Sequence, residues 1–202
     1  MIINTLKKKN IAFLALTQNS EKTLGQFLNF YKKIKKKYKN CYLIIGENDS
    51  RDNTKVILKA FKKSDKNFIL VNTDFARKYE YRLEKMSNLR ETISKKLNSL
   101  NRKIDYICWL DLDDVIENKL SVNNFYNANL LLVKNKNLFG VSATSKPYYY
   151  DILSFRMKNF FMKNIYFISL NKKIIEGYKL RKKNIYDIQL KVTNSKNLYT
   201  IS

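Results

Sequence analysis

The chain has 202 residues, 45% hydrophobic and 13% aromatic, with 40 Lys and Arg against 17 Asp and Glu, a formal charge of +23. That composition excludes a disordered or low-complexity chain and suits one domain with a substantial core. No apolar run approaches the roughly 20 residues needed to cross a bilayer, and residues 1–10 lack the apolar stretch of a secretory signal.

Residues 10–16 form a short apolar run that ends in the polar cluster Thr17, Gln18, Asn19 and Ser20, which predicts a buried strand and a loop. Leu24, Phe27, Leu28, Tyr31 and Ile34 then recur at helical spacing with lysines between them, an amphipathic helix. A second strand covers residues 41–46, followed by the Asx-rich loop 47–54 and a helical pattern carried by Val56, Leu58, Ala60 and Phe61. Residues 67–72 read as a third strand. Residues 77–101 read as a charged helix with Leu83, Met86, Leu89, Ile93 and Leu97 as its apolar stripe. Residues 104–110 form a fourth strand running into Asp111, Leu112, Asp113 and Asp114; residues 123–135 are helical and 137–143 extended.

Strands alternating with helices predict an α/β domain with a mainly parallel sheet and helices on both faces. Ligands bind such sheets at the carboxyl ends of the strands. The loops at Thr17, Gln18 and Asn19, at Glu47, Asn48 and Asp49, and at Asp111 to Asp113 are therefore expected near one another. There is no internal repeat and no Pro/Gly linker, so residues 1–202 are expected to form a single domain. Cys41 and Cys108 sit inside apolar runs and read as buried free thiols of a reducing, cytoplasmic compartment.

The charge has three readings. Lysine outnumbers arginine 33 to 7, and with Lys, 25 Asn, Ile, Tyr and Phe all encoded by A/T-rich codons, the excess reads first as compositional bias. A basic face toward an anionic membrane or an anionic donor is the second reading. A nucleic-acid surface is the third, and is disfavoured because the lysines are spread over every predicted helix instead of forming one stripe.

Asp111 and Asp113 stand at alternate positions beyond a hydrophobic strand, which points both carboxylates the same way. Such a pair repels itself unless a cation neutralises it, and hard oxygen ligands suit Mg²⁺ or Mn²⁺, which bridges a diphosphate and eases its departure. An isolated D-x-D reads as readily as loop solvation or helix capping, with Asp114 and Asn118 as candidate caps.

Taken with the loop Glu47-Asn-Asp-Ser-x-Asp-x-Thr54 and the long Arg-bearing helix between them, the D-x-D-D segment resembles GT-A-type inverting nucleotide-sugar glycosyltransferases. The E-N-D-S variant is similar to a mannosyltransferase-type family related to fungal capsule-associated enzymes. The segment Pro147-Tyr-Tyr-Tyr-Asp-Ile-Leu-Ser-Phe-Arg156 resembles the Tyr-Tyr-Asp-x-x-x-x-Arg stretch of its bacterial and viral relatives. The resemblance spans residues 10–156, and residues 157–202 depart from it.

The resemblance implies a GT-A fold and transfer of a sugar from a nucleotide-sugar donor to a glycan, lipid-linked or protein acceptor, as in polysaccharide biosynthesis. It implies that Asp49 contacts the base or ribose, that Glu47 and Asn48 shape its loop, and that Thr17 and Gln18 line the same pocket. It implies Asp111 and Asp113 as the donor-side metal pair, with Mn²⁺ or Mg²⁺ as cofactor, Asp113 as the more direct ligand and Asp111 in contact with ribose or bound water. Arg90, and with less support Arg77 and Arg82, stand where relatives keep basic residues near the diphosphate. Asp151 is a candidate general base beside Tyr149 and Tyr150, with pairing to Arg156 as its alternative role. Two further expectations stay open: a basic nucleic-acid-binding module, and a degenerate glycosyltransferase-like protein that binds without turnover. A nucleotidyltransferase lacks its glycine-rich phosphate loop here.

Overall fold

The computed structural model describes residues 5–112, 120–135, 137–141, 155–156 and 199–200. A short 3-10 turn, Leu6–Lys8, leads into β1 (Asn10–Thr17), α1 (Glu21–Lys35), β2 (Asn40–Glu47), α2 (Thr54–Ser64) and β3 (Phe68–Asn72). A 3-10 turn at Asp74–Lys78 precedes α3 (Arg82–Asn98), β4 (Tyr106–Asp111) and α4 (Val122–Lys134). These belong to a compact unit of residues 1–141. A second unit, residues 142–202, carries β5 (Phe155–Arg156) paired antiparallel with β6 (Tyr199–Thr200).

β1 to β4 form one wholly parallel sheet in the order β3-β2-β1-β4. β1 is central, and seven of its eight residues are buried, as a strand covered on both faces requires. Its side chains alternate between two cores. Ile11, Phe13 and Ala15 face a cluster built with α1, α2 and α4. Ala12, Leu14 and Leu16 face a second cluster, closed by Leu89, Ile93 and Leu97 of α3. The expected α/β architecture with helices on both faces is thus the one adopted.

Each helix is held by the face it buries. In α1, Leu24, Phe27, Leu28, Tyr31 and Ile34 are all buried, and edge-to-face contacts of Phe13 with Phe30 and Tyr31 fix the packing against β1. In α2 the buried face runs through Thr54, Leu58 and Phe61 with Ile57 half-buried, while Val56 and Ala60 of the expected pattern are exposed. Leu83, expected in the α3 stripe, is also exposed: the chain enters α3 only at Arg82, and the packed stripe begins a turn later at Met86. Arg77 consequently lies in the 3-10 turn and not on the helix. Residues 137–141 are irregular rather than extended, and 142–143 lie outside the described residues.

Gly46 marks a close approach between sheet and helix. A Cβ there would meet Ile93 Cδ1 and Leu16 Cδ2 at 2.9 Å and Thr73 Cγ2 at 3.2 Å. The missing side chain lets α3 sit directly on β2, next to the strand ends where the polar loops begin.

The two cysteines are free. Cys41 is buried and Cys108 keeps some surface, yet burial of each thiol pushes its pKa up to about 12, so both are inert at neutral pH.

Candidate functional site

The parallel register brings the polar strand ends into one row. Thr17 of β1 pairs with Glu47 of β2, and Glu47 with Asn72 of β3; on the other side Leu16 pairs with Asp111 of β4. The chain runs outward from β1 through β2 to β3, then crosses by α3 to place β4 on the opposite side of β1. The gap between β1 and β4 is therefore the topological switch point, where a crevice opens at the carboxyl edge. With strands ~4.8 Å apart, the ends of β2 and β4 stand ~10 Å from each other.

Three loops are tied together above this row. Asn48 N–H donates to the Thr17 carbonyl at 3.0 Å. Asn19 N–H donates to Ser50 Oγ at 2.9 Å, and Arg51 N–H returns a bond to Asn19 Oδ1 at 2.8 Å. Ser20 N–H donates to Thr54 Oγ1 at 2.8 Å, and the Ser20 hydroxyl donates to the Leu112 carbonyl beyond β4. Asn19 and Asp49 both adopt the left-handed region, with φ of 52° and 53°, a conformation that Asn and Asp tolerate better than most residues. The Asx-rich composition of the two loops is thus a backbone requirement as well as a chemical one.

The expected residues divide by role. Glu47 is 5% exposed and accepts Ser50 N–H at 2.6 Å, with Lys55 Nζ 3.8 Å from its other oxygen. It shapes the loop from below. Asn48 is also buried; its amide, oriented to satisfy both neighbours, donates to the Thr73 carbonyl at 3.3 Å and accepts from Lys85 Nζ at 3.2 Å. Gln18 is exposed. Thr17 is 4% exposed, and its Oγ1 has no hydrogen-bond partner among the described residues, an exception to the rule that buried hydroxyls are satisfied.

Asp49 is the charged centre. Its carboxylate pairs with Arg77 and lies 3.5 Å from Lys55 Nζ, both through Oδ1, while its own N–H donates to Asp74 Oδ1 at 2.9 Å. The Arg77 hydrogen bond, with help from Lys55, holds the Asp49 carboxyl below the usual carboxylate range. Lys55, Asp74 and Lys85 were not legible as partners: one follows the recognisable motif, and the other two come from loops and helices distant in sequence.

Asp111 is half-exposed, and Arg90 Nη2 stands 3.9 Å from its Oδ2. This is a solvent-screened pair of small energetic weight. It nevertheless places Arg90 on the α3 side of the switch point. Arg82 opens α3 and is exposed.

Asp113, Asp114, Asn118, Tyr149, Tyr150 and Asp151 lie outside the described residues, as does the side chain of Arg156. Among the described residues no cluster of three or more acidic or thiol ligands could hold a metal. Asp111 contributes one hard-oxygen donor at the right edge, half-open to solvent, with a guanidinium already beside it. The donor set fits a divalent cation only if a second carboxylate joins it.

No family model matches the chain, and no curated protein matches it. A search of solved structures finds a likeness to S. aureus TarS 1–349 at 16% identity and a TM-score of 0.44, covering 67% of this chain. The match spans 39% of that chain.

Proposed function

We propose that this chain carries the nucleotide-sugar-binding core of a GT-A-type glycosyltransferase, moving a sugar from a nucleotide-sugar donor to a glycan, lipid-linked or protein acceptor. One observation supports the reading: Glu47 and Asp111, at the carboxyl ends of β2 and β4, stand in one row on either side of β1 at the switch point. A nucleoside binding near Asp49 and a diphosphate reaching toward Asp111 would span the ~10 Å between those strand ends.

In this reading the Asp49 carboxylate accepts from the base or ribose. Thr17 Oγ1 gains in the bound state the partner it lacks. Arg90 offers a guanidinium fork to diphosphate oxygens, and Gln18 lines the mouth of the pocket. Asp111 and Asp113 would hold Mn²⁺ or Mg²⁺, which when bound supplies charge stabilisation for the departing diphosphate. Inversion at the sugar, and Asp151 as the base that takes the acceptor hydroxyl proton, complete the proposal.

Thermal unfolding of the full chain with UDP- and GDP-sugars, with and without Mn²⁺, tests it. Ligand at 100 times its Kd stabilises by about 2.7 kcal/mol, and Asp113→Ala and Asp111→Asn should each abolish the Mn²⁺-dependent part. Absence of a shift with every nucleotide sugar sinks the reading. Binding without nucleotide release over a panel of acceptors would instead mark a non-catalytic descendant.

A further inference from the structure

Eleven of the 33 lysines, scattered along the sequence, are gathered by the fold at one edge of the main sheet. All four strands of the main sheet are parallel, so the connections that enter them meet at its N-terminal edge, about 25 Å along β1 from the polar loops. Four segments converge there: residues 7–9, 35–39, 62–66 and 102–105. Lys39 N–H donates to the Lys9 carbonyl at 2.9 Å, Asn10 Nδ2 donates to the Lys103 carbonyl at 2.8 Å, and Lys35 pairs with Asp65 at 2.7 Å. Together they hold twelve cations, eleven of them lysine, against two carboxylates. Both carboxylates are already paired, Asp65 with Lys35 and Asp105 with Lys9. At the opposite edge, residues 18–22, 47–55, 72–78 and Asp111 set six carboxylates against five cations.

We propose that this N-terminal edge is a docking face for an anionic lipid bilayer. Helix dipoles favour lysines at 35–37 and 62–63, but not those at 7–9, 39, 66 and 102–103, which end no α-helix. Lysine is a compact, hydrated point charge suited to a diffuse anionic surface and poor at the planar, bidentate contacts that arginine makes. The one aromatic in these segments, Tyr38, is 4% exposed with its ring in the core, so nothing there stacks on a base. Beside this face a groove of about 570 Å³ runs between the last turns of α1 and α2, lined by Lys32, Lys33, Lys36, Ser64 and Phe61 among others. Four lysines line it against one carboxylate, Asp65, which Lys35 already pairs, a charge balance that suits a headgroup phosphate. Docked this way, the crevice at the strands' carboxyl ends faces away from the bilayer into solution, which among the proposed acceptors favours a glycan or protein over a lipid-linked one. The docking face stands on charge placement alone, whatever reaction the far edge performs.

Co-sedimentation of the full chain with vesicles tests it, using phosphatidylglycerol and phosphatidylcholine in equal parts against phosphatidylcholine alone. Binding should occur only on the anionic vesicles and fall steeply with salt. Each lysine near such a surface contributes about fivefold in affinity. Lys36→Gln, Lys37→Gln and Lys39→Gln together should therefore lower partitioning about a hundredfold. An equal-charge control at the other edge, Lys22→Gln, Arg51→Gln and Lys78→Gln, should lose far less, and circular dichroism should show both variants folded. Equal losses in the two triples, binding to pure phosphatidylcholine, or tighter binding to single-stranded DNA than to the anionic vesicles at the same salt would each overturn the proposal.

Discussion

Asp49 and Arg77 pair across the loops that follow β2 and β3, with Asp49 in the left-handed region and Arg77 in a 3-10 turn. The pair joins the acidic loop to the strand that lies farthest from β4. It also holds down the pKa of a carboxyl that lies against two cations, Arg77 and Lys55.

Removing Arg77 should change that charge state measurably. In Arg77→Gln the Asp49 carboxyl loses its largest stabilising contact, so its pKa should rise toward the ordinary carboxylate range, with Lys55 retaining part of the effect. Carboxyl-carbon NMR titration of both forms reads this directly. An unmoved Asp49 titration would mean that the pair is too screened by solvent to matter.

The two accessible glycine tests have opposite signs. Gly46→Val places side-chain atoms where Ile93 and Leu16 already stand, and overpacking of this kind costs about 1–3 kcal/mol. Gly25 lies in the exposed face of α1 with nothing within 4 Å of a new Cβ, and Gly25→Ala should stabilise by about 0.5–1 kcal/mol through helix propensity. Urea midpoints decide both. A neutral Gly46→Val would show that α3 can lift off β2 at little cost.

Acid should weaken the fold through a small set of carboxylates. Burial pushes the Asp52 and Asp105 pKa values up, but the hydrogen bonds they accept outweigh it and leave both lowered. Asp52 accepts Glu21 N–H and Thr54 N–H, each at 3.0 Å, while Asp105 accepts Asn10 N–H at 2.8 Å. A carboxyl whose folded pKa is depressed binds protons more readily when unfolded. Its contribution is therefore complete above the ordinary carboxylate range and is lost as pH falls through the folded value. Asp52→Asn should accordingly lower stability at neutral pH and flatten the acid limb of the urea midpoint against pH. An acid limb as steep as that of the parent chain would assign the pH dependence to other groups.

Alternation of apolar runs with helical spacing was enough to specify four strands, four helices and a parallel sheet, because burial imposes periods of two and 3.6 on any chain that folds this way. The acidic loops at 47–54 and at Asp111 were legible for the same reason: they interrupt apolar strands, and parallel sheets put such interruptions at one edge. Sequence could not show that Glu47 lies under its loop while Asp49 meets Arg77, since both are acids two positions apart and only the left-handed turn between β2 and α2 separates them. Nor could it show that eleven lysines from four separate segments meet at one edge of the sheet. That polarity arises because parallel strands send every returning connection to the same end, a constraint of chain topology that no local stretch of residues contains.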